Sequence, residues 1–256
     1  MLLDCRGITM HFGGVVALDG LDLRLNAGEI LGLIGPNGSG KTTFFNVLTG
    51  LYSSTTGQIQ LAGQDITRDS PQKIFRAGVA RTFQRSRLCL PLSIFDNVAI
   101  GNQSRHRNGL WFTLLRRRVL AAEVKSQVDV AQALLARFNP SLAQRIHQPV
   151  SNLSMIDRRR VEICRALIGE PKLLLLDEPS AGMTFDETRV LMDDLLAEKS
   201  RSPSLSIVLI EHEMSVIERI TERCVVLNFG KKIAEGHYRE VARNPEVQAA
   251  YLGTQA

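Results

Sequence analysis

Residues 35–43, Gly35-Pro36-Asn37-Gly38-Ser39-Gly40-Lys41-Thr42-Thr43, decide the class of this chain. The run before them, Glu29-Ile30-Leu31-Gly32-Leu33-Ile34, is short, apolar and flanked by Gly28 and Gly35, so it reads as a buried strand. Thr42 to Leu48 reads as a helix start. A strand, a glycine-rich turn and a helix N-terminus make a cradle for phosphate, because backbone N–H groups turn inward around the anion. Glycine permits the positive φ values this needs. The candidate nucleotide-binding residues are therefore Asn37, Gly38, Ser39, Gly40, Lys41, Thr42 and Thr43. Lys41 would reach the β- and γ-phosphates, and the Thr42 hydroxyl would sit on Mg²⁺. An accidental glycine turn is the alternative, and the strand and helix on either side make it a poor one.

The second strong stretch is Lys172-Leu173-Leu174-Leu175-Leu176-Asp177-Glu178-Pro179. Four apolar residues make a strand buried on both faces, with two carboxylates at its C-terminal end, where open α/β sheets bind ligands. Asp177 is assigned to the metal and Glu178 to the general base that orients or deprotonates water. A strand ending in a polar Asp-Glu-Pro turn is the bland alternative. Ile207-Val208-Leu209-Ile210-Glu211-His212 is a third such strand, so His212 should emerge at the same edge, within reach of a γ-phosphate. A lone His after a strand is more often structural, so its weight comes from the other two motifs. Gln84 closes Arg81-Thr82-Phe83-Gln84 where the β-rich part gives way to a helical part; its side-chain oxygen can ligate Mg²⁺.

Bulk properties fit this reading. The 256 residues are 44% apolar and 22% charged, enough for a sizeable core in a soluble globular protein. No apolar run approaches the roughly 18 residues that a membrane span needs, and the first six residues lack a signal-peptide core. Cys5, Cys89, Cys164 and Cys224 show no metal spacing and suit a reducing cytosol. A net charge of +5 permits phosphate or anionic-membrane contact without demanding it. Leu2–Phe12, Val16–Leu25 and Gln58–Ala62 carry strand-like runs, and Val79–Phe83 a further short one. Helices are expected over Val119–Phe138 and Asp157–Ile168. From Lys172 onward strands and helices alternate, ending in a hairpin around Phe229-Gly230, which argues for a parallel α/β layer.

Together these residues resemble an ABC-transporter nucleotide-binding subunit over essentially the whole length, most like the ATPase subunits of branched-chain amino acid importers. The resemblance rests on His11-Phe12-Gly13-Gly14-Val15-Val16-Ala17-Leu18, the cradle, Arg81–Gln84 and Leu173–Pro179. It continues in Ile210-Glu211-His212-Glu213-Met214, Gly230–Gly236 and Ala249-Ala250-Tyr251-Leu252-Gly253. It implies an α/β P-loop NTPase fold in a single domain, 1–256. A RecA-like core with an antiparallel β subdomain would occupy 1–84 and 170–256, and a helical subdomain about 85–169. It also implies ATP and Mg²⁺ as ligands, ATP hydrolysis coupled to import, and a peripheral place on the cytoplasmic membrane face. Phe12 would stack on adenine, although a buried strand residue reads equally well without the family. Ser180-Ala181-Gly182-Met183-Thr184 would follow a dimer seam, Gln84 would begin a lever to a membrane permease, and Leu88–Val98 would line the permease's docking cleft.

One segment departs from the family. Where Leu-Ser-Gly-Gly-Gln or Leu-Ser-Tyr-Gly-Gln is usual, this chain has Leu153-Ser154-Met155-Ile156-Asp157, then Arg158-Arg159-Arg160. Ser154 keeps its hydroxyl for a γ-phosphate, but Ile156 puts a β-branched side chain where glycine's backbone should approach. Asp157 adds negative charge near the nucleotide. Two ATPase subunits of this family sandwich two nucleotides, so this segment would weaken the partner's site. The expectation is a heterodimer with one impaired site, a homodimer remaining possible. Trp111–Arg118 reads as a helix start with a solvated basic face, or as a contact for anionic lipid. Arg158–Arg160 reads as a solvated face with dimer contacts. No nucleic-acid platform is evident. A soluble ABC protein of DNA maintenance or translation would carry a coiled coil or two ATPase domains. A regulatory subunit with little hydrolysis is the other alternative. The transported solute is not encoded in the chain.

Overall fold

The computed structural model describes residues 1–84, 86–105 and 117–252, which pack as two units. The first comprises Met1–Arg81, Lys172–Pro179 and Lys199–Ala256, the second Thr82–Pro171 and Ser180–Glu198.

In the first unit, β1 (Leu3–Phe12), β2 (Val15–Leu25), β4 (Thr56–Leu61) and β5 (Gln64–Asp65) form an antiparallel sheet in the order β2-β1-β4-β5. β2 buries Leu21, Leu23 and Leu25 on one face and exposes Asp22 and Arg24 on the other, the alternation expected of a half-covered sheet. A second, six-stranded sheet runs β10-β9-β3-β8-β7-β6. Its strands are β3 (Ile30–Ile34), β6 (Val79–Arg81), β7 (Leu173–Asp177), β8 (Ser206–Ile210), β9 (Arg223–Asn228) and β10 (Lys231–Gly236). All neighbours are parallel except the β9–β10 hairpin. β3, β7 and β8 are buried at every residue, which is why each reads as an unbroken apolar run instead of an alternation. Leucines of β1 and β2 share one core with Leu31, Leu33, Leu173 and Leu175 of this sheet and with Phe44, Phe45 and Leu48. Each such side chain contributes about 1.5–3 kcal/mol on burial.

Those three belong to α1 (Lys41–Leu48), which follows β3 through the glycine turn. α2 (Pro71–Ala77) was not expected from the sequence. Its signals are local and short: Pro71 at the first turn and Gly78 in the left-handed region at the end (φ 107). The parallel arrangement has one consequence for function. The C-terminal ends of β3, β6, β7 and β8 share one sheet edge, bringing together Gly35–Lys41, Arg81, Asp177–Glu178 and Glu211–His212.

The second unit is helical. α3 (Ile94–Ala99) begins in a capping box between Ser93 and Asp96. It is followed by α4 (Arg117–Phe138), α5 (Pro140–Gln144), α6 (Met155–Leu167) and most of α7 (Phe185–Arg201). Packing groups Ser180–Glu198 with this unit, although the sequence window kept them in the core. Ion pairs supply the reason: Asp194 of α7 meets Arg160 of α6 at 2.8 Å, and Glu198 meets Arg137 of α4 at 3.0 Å.

The three consecutive arginines near the start of α6 correct one expectation. Arg159 and Arg160 are 5% and 9% exposed, not a solvated face. Arg159 donates to Glu162 (2.7 Å) and to the Phe83 carbonyl (3.2 Å), and Arg160 to Asp157 (3.1 Å) and Asp194. Arg158 donates to the Ser151 carbonyl at 2.7 Å. Opposite charges three residues apart, Asp157 with Arg160 and Arg159 with Glu162, let buried pairs imitate a surface. The Trp111–Arg118 reading lies outside the described residues, apart from the backbone of Arg117 and Arg118. Among the described residues, no helix is long and apolar enough to cross a membrane.

Candidate functional site

The glycine turn is held by its own lysine. Lys41 Nζ, on a buried side chain, donates to the carbonyls of Gly35 (2.7 Å) and Pro36 (2.8 Å) and to Ser39 Oγ (3.3 Å). Gly35 has φ 145, and a Cβ there would run into the Leu227 carbonyl. Gly40, the residue before α1, has φ 106, and its Cβ would come within 2.6 Å of the Ala17 carbonyl. Neither position tolerates a side chain, so the loop can close tightly over an anion only with glycine. At Gly38 a Cβ would meet nothing within 4 Å, and Asn37 and Gly38 are exposed. Thr42 is exposed on the first turn of α1, with Thr43 half-buried beside it.

Both predicted carboxylates act on this lysine. Burial pushes the Lys41 ammonium below its usual value, while Glu178 and Asp177 pull it back up. Glu178 leaves β7 in the left-handed region (φ 49), fixed by its N–H donating to the Ile210 carbonyl at 2.9 Å. His212 Nε2 lies 2.7 Å from Glu178 Oε1, the imidazole N–H being the donor when the carboxylate is ionised. The structure thus brings Lys41, Asp177, Glu178 and His212 to one edge.

Asp177 has a partner the sequence reading did not assign. Arg81 Nη2 donates to Asp177 Oδ2 at 2.6 Å, and both side chains are about 95% buried, at 5% and 4% exposure. Arg81 Nη1 donates to Asn46 Oδ1 at 2.7 Å. Arg81 was visible only as the first residue of a quoted motif. A single cation three residues before Gln84 carries no period or spacing that announces its partner.

Phe12 is 43% exposed and packs edge-on against Tyr52, with ring centroids 5.2 Å apart and planes at 78°. The buried-strand alternative for Phe12 does not hold. Tyr52 was missed because the turn after α1 offers no pattern.

Gln84 and Ser154 belong to the second unit. Gln84 is exposed, and its carbonyl accepts from Arg159 at 3.4 Å. Ser154 caps α6, accepting from the Asp157 N–H at 3.3 Å. Asp157 does not present a bare charge: Asn139 Nδ2 donates to it at 3.0 Å, Arg160 at 3.1 Å, and Arg145 lies 3.8 Å away. Met155 is exposed.

The donor set fits a triphosphate with a hard cation. The loop offers backbone N–H groups and Lys41 for phosphate, and Thr42 and Asp177 offer the oxygens that Mg²⁺ prefers.

Comparison with known proteins agrees with this geometry. Residues 18–181 match the family described as ABC transporter, and residues 231–256 match branched-chain amino acid ATP-binding cassette transporter. The chain is 39% identical to the high-affinity branched-chain amino acid transport ATP-binding protein LivG of Escherichia coli, over 98% of both chains. It is 38% identical to BraF of Pseudomonas aeruginosa, again over 98% of each. Among solved structures, a nucleotide-free ATP-binding cassette from an ABC transporter superposes with a TM-score of 0.84 at 28% identity, covering 98% of both chains. An ABC transporter cassette in its ADP conformation gives 0.83 at 27% identity, with the same coverage. With a phosphate cradle and an acid–histidine edge in place, and relatives matched end to end, the chain belongs to the ABC transporter family of ATP-binding cassettes, in its branched-chain amino acid branch.

Proposed function

We propose that this chain is the ATP-binding and ATP-hydrolysing subunit of a membrane importer for branched-chain amino acids or related small solutes. One observation carries the reading: Lys41, within the cradle, shares a sheet edge with Asp177, Glu178 and its partner His212. The loop from Asn37 to Thr43 binds the phosphates and Phe12 offers a face to adenine. Glu178 takes the proton of the attacking water, and His212 orients Glu178. Thr42 and Asp177 would hold Mg²⁺, which would neutralise phosphate charge there.

The relatives' names support branched-chain amino acids as the solute, and their place in transport supports membrane partners. The chain works with membrane permease subunits as a peripheral protein on their cytoplasmic face, and with a second ATPase. A heterodimer is favoured because Met155 and Ile156 replace the usual residues after Ser154, so this chain completes its partner's site poorly. Turnover measured for this chain with and without a co-purified second ATPase tests the reading. Hydrolysis that needs the partner and disappears in Lys41→Ala supports it. Strong cooperative hydrolysis by this chain alone, unchanged by Ile156→Gly, removes the heterodimer.

A further inference from the structure

Arg81 occupies a place that sheet formation does not require. It is the last residue of β6, opposite Leu175 in the parallel register, and its guanidinium extends toward Asp177, two residues further along β7. One arm donates to Asp177 Oδ2 and the other to Asn46 Oδ1 on α1, the helix that begins with Lys41 and Thr42. The ring of Phe45, also on α1, lies 5.3 Å from the guanidinium carbon. A single buried cation therefore ties the end of β7 to the helix of the phosphate cradle. Burying such a pair is costly, and apolar replacements of buried pairs are often neutral or stabilising, so stability alone gives weak grounds for it.

The charge count points to a role. Arg81 sets one formal positive charge 2.6 Å from the negative charge of Asp177, with both side chains almost fully buried. A divalent cation gains little from a carboxylate already paired with a buried cation. A nucleotide triphosphate shifts that balance by several negative charges and brings its own oxygen ligands. Taking Asp177 as the carboxylate that holds the metal, as read above, we propose that Arg81 is a positioning residue that fixes Asp177 and makes uptake of the divalent ion conditional on nucleotide. One oxygen of Asp177 is committed to the guanidinium, and the other is left for the metal or its water. An arginine suits the task because its planar fork serves two acceptors at once.

Mn²⁺ titration read by the electron paramagnetic resonance of the free ion tests this without relying on turnover. In the full chain, Mn²⁺ should bind weakly without nucleotide and at least about a hundredfold more tightly with a non-hydrolysable ATP analogue. Arg81→Gln, which keeps a hydrogen-bond donor but removes the charge, should raise nucleotide-free Mn²⁺ affinity by about tenfold or more. Arg81→Lys, which keeps the charge, should stay near wild type. Tight Mn²⁺ binding by the wild type without nucleotide overturns the proposal and needs no variant. So does a folded Arg81→Gln with unchanged nucleotide-free affinity. If Arg81→Gln does not fold, an increase in Arg81→Lys like that expected from charge loss overturns it. Failure of the underlying reading looks different: the wild type with nucleotide would bind Mn²⁺ no more tightly than Asp177→Asn.

Discussion

His212 Nε2 lies 2.7 Å from Glu178 Oε1, joining the residues that follow two adjacent parallel strands, β8 and β7. Glu178 holds a left-handed backbone there, a conformation that costs a non-glycine residue on the order of 1 kcal/mol or more. The strain persists because the Glu178 N–H is tied to Ile210 and the side chain to the imidazole. The carboxylate is thereby aimed by the sheet instead of left to its own rotamers.

Glu178→Gln should lower single-turnover hydrolysis by about a hundredfold or more, because the amide cannot accept the water's proton. Nucleotide affinity should remain within about threefold, since the phosphate contacts are untouched. Fluorescent-nucleotide titration beside quenched-flow hydrolysis separates the two. A parallel loss of affinity would show that Glu178 serves binding.

Two glycines of the cradle should respond differently. Gly35→Ala drives a Cβ into the Leu227 carbonyl and to 2.8 Å from Ser39 Oγ, for an expected loss of about 2–4 kcal/mol. Gly38→Ala meets open space and suffers only its positive φ of 76, about 1 kcal/mol. Urea unfolding of both variants checks the ranking, and equal losses would contradict the geometry.

The pH dependence of nucleotide binding should follow Lys41. Burial lowers its proton affinity from the ordinary lysine value of 10.5, the two carboxylates opposing the shift. Phosphate needs the ammonium, so affinity should fall as pH rises through the lowered value, before ordinary lysines titrate. Stability of the free protein has the opposite sign. Between the lowered value and 10.5 the unfolded chain binds more protons at this site, so Lys41's contribution to stability rises with pH. Lys41→Arg should move the affinity loss to higher pH, measured as Kd against pH.

Asp157→Ala should cost about 1–2 kcal/mol by removing acceptors from Asn139 and Arg160. Nucleotide affinity of a partner ATPase should change little, because Asp157's charge is already spent inside the helical unit. A tenfold rise in the partner's affinity would restore the view of Asp157 as a repelling charge.

The sequence alone determined the class of the chemistry. Local chain geometry dictates a cradle, and Gly35–Thr43 between an apolar run and a helix is a local arrangement. Unbroken apolar runs such as Leu173–Leu176 likewise mark strands covered on both faces, so the carboxylates and His212 could be placed at strand ends. Tertiary structure decided what lies across space. Arg81 meets Asp177 from a neighbouring strand, Tyr52 meets Phe12 from beyond α1, and Arg159 and Arg160 disappear into ion pairs with Glu162, Asp157 and Asp194. A charge reads the same in sequence whether it faces water or a partner. Burial and pairing are properties of the packed chain, fixed only when strands and helices distant in sequence are brought within a few ångströms of one another.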